Sequence, residues 1–220
     1  MGSNEDQIRA LLSAERYARD LGHWKKLRSM YHPEDAQTKV STMCGNRAPP
    51  LQGQKLTPVR AGVYRYEGGI DGFVEGSRRL HSPTVSHIHQ IQTGEVQVKG
   101  TKAVADSWCL IHSRNEDIPQ HHYDQTSYLR LLSQCQQVDG QWKMRTLEAV
   151  YIRDSIAAVP PHSLPEFDSL VPGYRKSYRF TAWSIGRRGL QIRQDMPGSD
   201  RPEGIDEAVR RNQAWLDGDG

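Results

Sequence analysis

An α+β fold, with helices packed on one face of a curved and mostly antiparallel sheet, is what this sequence predicts. Three observations carry that expectation. Apolar residues recur at helical spacing early in the chain: Ile8, Leu11, Leu12 and Tyr17, then Trp24, Leu27, Met30 and Tyr31, then Ile70, Phe73, Val74 and Leu80. From residue 85 the apolar period changes to two and stays there through four long segments. Between those segments stand turn signals, Lys99-Gly100-Thr101 and Asp139-Gly140, the second a strong hairpin signal. Helices first and antiparallel strands after are the element order of an α+β domain.

The elements follow in order. A first helix is expected over 4–21, capped by Ser3 with Asp6 three residues on, and stopped by Gly22. A second covers 23–31 and ends before His32-Pro33, because a proline disfavours helix in the residue before it. A strand fits 37–43. Residues 44–68 carry the loop composition of Cys44-Gly45-Asn46-Arg47-Ala48-Pro49-Pro50 and read as a long insertion, a lid or a partner-binding loop. The third helix spans 69–81, and strands are expected at 85–99, 102–113, 123–137 and 141–153. Residues 1–155 then make one domain and 156–220 a C-terminal extension. The extension opens on a Pro160-Pro161 linker, holds a short helix within 172–189 and an amphipathic helix at 203–217 with Ile205, Val209 and Trp215. It is too small for a core of its own and is expected to wrap around the domain or a neighbouring subunit.

Composition narrows the function classes. The 220 residues include 29 basic and 26 acidic ones, a net charge of +3 with no basic block, which argues against nucleic-acid binding. Apolar content is 36% and mean hydropathy −0.74, polar but sufficient for a core at this length. Cys44, Cys109 and Cys135 are far apart and form no CxxC pair, so neither a zinc knuckle nor a disulfide framework is indicated. The Met1-Gly2-Ser3-Asn4-Glu5-Asp6 start is unlike a signal peptide, and no apolar run reaches the roughly 20 residues of a membrane span. A cytoplasmic protein without membrane or nucleic-acid partners is the expectation.

The chemistry concentrates on strand faces and one helix end. Residues two apart on a strand share a face, so His87, His89 and Ile91 point together, as do Trp108 and His112 on the next strand, and Tyr128 and Arg130 on the third. Tyr17 and Asp20 are three apart on the first helix and therefore neighbours. Closed around one cavity, these elements gather Tyr17, Asp20, His89, His112 and Arg130 into a set suited to general acid–base chemistry. A histidine moves the proton, a carboxylate orients it, and Tyr or Arg stabilises an oxyanion. A His89 paired with Asp20 is expected to titrate above its ordinary value. Asp20 is otherwise a solvated helix-end carboxylate and His89 a satisfied core histidine. His87-x-His89 has two metal-ligand types on one face but no third ligand by spacing, so no metal and no cofactor is expected.

Several segments in this order resemble the SnoaL-like branch of the nuclear-transport-factor-two-like superfamily. They are Tyr17-Ala18-Arg19-Asp20-Leu21-Gly22-His23-Trp24, Tyr31-His32-Pro33-Glu34-Asp35-Ala36, Gly69-Ile70-Asp71-Gly72-Phe73-Val74-Glu75, His89, Val98-Lys99-Gly100-Thr101-Lys102-Ala103 and Val138-Asp139-Gly140-Gln141-Trp142. The resemblance covers roughly residues 5–155 and implies a cone-shaped α+β barrel with the layout of scytalone dehydratase and hexachlorocyclohexane dehydrochlorinase. It implies Asp20 and His89 as an acid–base dyad, His112 as a second polar group of the site and Arg130 at a position that is frequently polar or basic. Beside it, Tyr17, Trp24, His87, Trp108, Tyr128 and Arg130 are expected to bind substrate, and His112 to be catalytic. The implied function is a cofactor-independent lyase or isomerase, a dehydratase, double-bond isomerase or cyclase, acting on a polyketide- or terpenoid-like small molecule. A non-catalytic module of the same fold that binds a small molecule or a protein is the rival, and an oligomerisation scaffold the third. A bent sheet has a face to cover, so a homodimer is expected.

Overall fold

The computed structural model describes residues 2–42, 66–81, 85–116, 118, 120–164, 173–186 and 194–218. Nearly all of the expected insertion lies outside them. Helix α1 (Asn4–Asp20) begins with the capping box its sequence announces: Ser3 Oγ accepts from the Asp6 N–H at 3.2 Å, and Asp6 Oδ2 accepts from the Ser3 N–H at 3.3 Å. It stops at Gly22, whose φ of +67° is open to glycine without cost. Helix α2 (Trp24–Ser29) is shorter than expected. A 3₁₀ turn (Asp35–Gln37) and strand β1 (Lys39–Thr42) stand where one strand over 37–43 was expected. That turn has a purpose. Asp35 Oδ1 and Thr38 Oγ1 accept the Asp71 and Ile70 N–H groups, each at 2.8 Å, and so cap helix α3 (Ile70–Leu80). A Cβ at Gly69 would stand 2.2 Å from the Asp35 carboxylate, so that approach requires glycine.

Among the described residues the sheet has six strands in the order β2-β1-β6-β5-β4-β3 and is not closed. Its additional members are β2 (Tyr66–Gly68), β3 (Val85–Lys99), β4 (Lys102–Asn115), β5 (Tyr123–Val138) and β6 (Gln141–Ala158). Every pairing is antiparallel except β1 with β6. At the β5–β6 hairpin both turn residues take positive φ, Asp139 at +50° and Gly140 at +74°, the conformation Asp-Gly favours. Bulges at Thr93/Glu95, Tyr128/Leu129 and Gln134/Cys135 bend the long strands.

The fold is the expected α+β cone. Its main core lies on the concave face, where Ile8 and Leu12 of α1, Leu27 of α2 and Ile70 and Phe73 of α3 meet Cys109, Leu129, Leu131, Met144 and Leu147. The C-terminal segment contacts both faces. A 3₁₀ turn (Lys176–Tyr178) and helix α4 (Arg179–Gly186) pack against β5 and β6. Helix α5 (Pro202–Asp217) lies on the convex face, where Ile205 and Ala208 join Leu132, Val150 and Ile152 in a second, small core. Among the described residues no helix is long and apolar enough to cross a membrane.

Candidate functional site

Four charged side chains sit at the buried end of α1. After Ile8 and Leu12 the next buried positions are Glu15, Arg16 and Ala18, with half-buried Arg19 and Asp20 at the helix end. Glu15 and Arg16 are 1% and 3% exposed and form a two-bond ion pair, and the Tyr31 hydroxyl donates to Glu15 Oε1 at 3.0 Å. Burial raises the Tyr31 phenol well above its ordinary value, and the Glu15 charge beside it adds to this.

Asp20 and His89 meet. Asp20 Oδ2 accepts the His89 backbone N–H at 2.7 Å, and Oδ1 stands 2.5 Å from His89 Nδ1. One carboxylate therefore fixes both the main chain and the ring of the same residue. The other ring nitrogen, Nε2, lies 3.2 Å from Arg19 Nη1. A guanidinium only donates, so Nε2 must be the accepting nitrogen and Nδ1 the protonated one, donating to Asp20. The His89 side chain is 3% exposed and that of Asp20 13%. The Arg19 guanidinium also lies over the Phe73 ring, 5.7 Å from its centre.

Electrostatics keep this histidine neutral. Burial and then the Arg19 charge push His89 down to about 4, against the opposing hydrogen bond and charge of Asp20. The expectation of a raised value is therefore corrected: Asp20 does favour the imidazolium, but desolvation and a guanidinium at Nε2 outweigh it. For Asp20, burial works to raise the carboxyl, and the His89 hydrogen bonds with the Arg19 charge outweigh it, so it stays below its ordinary value. Cys109, in the field of Arg16, Asp20, Glu15 and Arg19, is pushed up by burial to about 11 and is a thiol at neutral pH.

The folded histidine binds its proton less readily than the unfolded one, whose ordinary value is 6.5. Stability is therefore full above pH 6.5 and falls as pH drops from 6.5 towards 4, by up to about 3 kcal/mol from this group. The Asp20 carboxylate adds a further loss below pH 3.8. Urea melts at stepped pH measure this, and His89→Gln flattens the slope between pH 6.5 and 4.

His89 has polar company on the concave face. His87 Nδ1 is 2.7 Å from Ser113 Oγ. Ser127 stands two strands from His89 in the same row, about 10 Å away. Thr181 of α4 hydrogen-bonds Ser127 Oγ and Gln125 Nε2 at 2.8 Å each, and its N–H donates to Asp154 Oδ2 at 2.7 Å. The start of α4 is thus anchored over the same face. Among the described residues no group of three or more His, Cys, Asp or Glu is placed to hold a metal.

Four predicted residues are on the other face. His112 is exposed, Trp108 is 50% exposed, and Tyr128 and Arg130 stand beside them. There Arg130 pairs with Asp106, and Arg153 lies over the Tyr128 ring at 3.9 Å. The cause is one residue. From the tight turn outward β3 and β4 pair as Lys99 with Lys102 and Val96 with Ala105, a register that would put His89 opposite His112. The bulge at Gly94 shifts β3 by one, so His89 turns inward and faces Ile111, while β4 buries its odd-numbered residues, Ala103, Ala105, Ser107, Cys109 and Ser113, along its whole length. Tyr17 is also misplaced: it is 61% exposed, one residue round the helix from buried Arg16. Trp24 stands at the turn after α1 with its ring edge-on to His81 at 5.7 Å. Of the predicted set, Asp20, His89 and His87 share the concave interior. Glu15, Arg16, Arg19, Tyr31 and Cys109 were missed, although charges at inward positions of an apolar helical stripe are a legible signal.

The model of the SnoaL-like domain matches residues 3–148. The chain belongs to the SnoaL-like family. No curated protein matches it in sequence. Among solved structures, similar folds include a type 2 hexachlorocyclohexane dehydrochlorinase, at 15% identity over 77% of this chain and 94% of the other, with a TM-score of 0.51. A type 3 enzyme of that name from Novosphingobium barchaimii LL02 gives 15% identity, 74% and 94% coverage and 0.48. A candidate scytalone dehydratase from Novosphingobium aromaticivorans gives 19%, 74% and 93%, and 0.46. These identities speak to fold alone.

Proposed function

We propose that this SnoaL-like protein is a cofactor-independent lyase or isomerase whose base is His89, oriented by Asp20. The observation that carries the reading is the pair of hydrogen bonds from one carboxylate to the backbone and ring of a buried histidine. They fix the ring and its tautomer, leaving Nε2 as the accepting nitrogen. A neutral imidazole with its Nδ1 proton on a carboxylate is competent to take a proton at Nε2, and the carboxylate then stabilises the imidazolium. Nε2 takes a proton from carbon, and the C–H electron pair forms a double bond or an enolate. In an elimination the leaving group departs with its own pair, and the imidazolium or water supplies its proton. In an isomerisation the imidazolium returns the proton to another carbon. A dehydrochlorinase of the same fold is named for an elimination of this kind.

The substrate class we assign is a hydrophobic, polyketide- or terpenoid-like small molecule, dehydrated, isomerised or cyclised after that first deprotonation. His112, which faces outward, has no part in it. The test is solvent deuterium exchange into a panel of cyclic and aromatic hydroxyketones, read by mass spectrometry. Exchange or turnover that disappears in His89→Gln supports the proposal. A protein that binds panel members without exchanging any of them is a binding module instead.

A homodimer goes with this reading. Ile88 and Trp108 are 63% and 50% exposed on the convex face. We assign that patch to a second copy. Sedimentation should give a dimer that Trp108→Glu converts to monomer. A monomeric wild type would contradict it.

A further inference from the structure

The base of this site is occupied by the protein itself. His89 has a single lone pair, on Nε2, and Arg19 Nη1 stands 3.2 Å from it. A carbon-bound proton cannot reach that lone pair while the guanidinium holds it. We infer that Arg19 is a specificity-determining latch on His89, and that it is released by a substrate whose own oxygen becomes an anion next to the carbon that loses its proton. This deepens the reading of His89 as the base and rests on it.

The physical case is one of exchange. Moving a guanidinium off a buried nitrogen gives up a hydrogen bond in a place where water does not replace it, and a lost buried bond is costly. A neutral hydrocarbon or halogenated ligand offers nothing in return. An enolate or phenolate oxygen offers a stronger, charge-assisted bond, and the planar fork of arginine suits it. The Phe73 ring, already beside the guanidinium, gives its flat face a surface to rest on as it turns. The arrangement thus couples two events: the oxygen that will carry the developing charge takes Arg19, and the base is freed for the neighbouring C–H. The substrate class is then a carbon acid with an adjacent carbonyl or phenolic oxygen, such as a hydroxyketone, a 1,3-dicarbonyl or a phenol.

The charged and titratable groups facing His89 are Arg16, Arg19 and Asp20 from α1, with Glu15 and Cys109 close to them and His87 two residues along its own strand. Of these only Arg19 touches Nε2. The test uses the whole chain labelled with ¹⁵N-histidine, and two probes of one shape: 4-nitrophenol, above its own ionisation, and nitrobenzene. In wild type the phenolate binds roughly tenfold tighter or more than nitrobenzene, and it raises the pH at which His89 titrates. In Arg19→Met the free His89 titrates nearer its ordinary 6.5, and the preference for the phenolate collapses. Arg19→Lys guards against a variant that fails to fold. It keeps the charge, and with it the lowered His89 titration and the phenolate preference. A folded Arg19→Met protein that leaves both the His89 titration and the probe preference unchanged overturns the latch. Asp20→Asn in the same spectra separates the failures. If it moves His89 while the Arg19 variants do not, the base reading stands and the latch falls, and if none of them moves His89, both fall.

Discussion

Replacing His89 by Gln should remove whatever turnover the protein has, by a factor of about 10²–10⁴, with the fold intact at neutral pH. Glutamine fills a similar volume and can still meet the Asp20 carboxylate through its amide N–H groups, so packing on the concave face is largely kept. It has no titrating nitrogen. The loss should appear in kcat and leave substrate binding within a few-fold, because the group removed acts on the proton and not on the body of the ligand. Asp20→Asn should cost less. Its side chain still accepts from Nδ1 but no longer stabilises the imidazolium, and its amide can turn and disfavour the working tautomer. Steady-state kinetics on the first substrate to show exchange, with circular dichroism of each variant as a fold control, checks both. Undiminished turnover in His89→Gln would remove His89 from the chemistry.

The largest effect on stability is expected one turn earlier, at Arg16. Its guanidinium and the Glu15 carboxylate are almost completely buried, and Glu15 also takes the Tyr31 hydroxyl. Arg16→Met leaves that carboxylate buried without its counter-charge, and breaking a buried pair from one side costs about 3–5 kcal/mol. The double variant Glu15→Leu/Arg16→Met removes both charges and should recover about half of this loss. It leaves only the Tyr31 hydroxyl short of an acceptor, about 1–3 kcal/mol. Urea unfolding of the single and double variants at pH 7.5 measures it, with the midpoint as the observable. A double variant no better than the single one would mean that the pair acts through something other than charge compensation.

The fold was legible because its signals are local. Ser3 and Asp6 cap a helix wherever they precede an apolar stripe, Asp139-Gly140 makes a two-residue hairpin, and long period-two segments pair with their neighbours. The Asp20–His89 meeting was legible for a different reason: a helix end and a first long strand converge in the family whose segments the chain carries. What failed was parity. Gly94 inside a strand pattern is a bulge signal, and the bulge there turns His89 and His87 to the face of the odd-numbered β4 residues, leaving His112 and Trp108, with Arg130 and Tyr128, on the other. A one-residue shift leaves the strand assignments untouched and reverses every side chain beyond it. On α1 the miss has another cause. Tyr17 reads as part of the apolar stripe because it is aromatic, yet the inward side belongs to Arg16 and Arg19, whose burial depends on Glu15 and His89, partners that helical periodicity does not reveal. The lowered His89 value has the same origin, since Asp20 is visible as a partner in sequence logic and Arg19 at Nε2 is not.

The central claim, that Asp20 and His89 act as one unit with the proton on Nδ1, is tested most directly by a ¹⁵N NMR pH titration of the histidine rings in wild type and Asp20→Asn. The account predicts a neutral His89 at pH 7 with Nδ1 protonated and titration at about 4. In Asp20→Asn that titration moves lower still, because the carboxylate that favoured the charged ring is gone. A His89 that is protonated at Nε2 instead, or that titrates identically in both proteins, would contradict it.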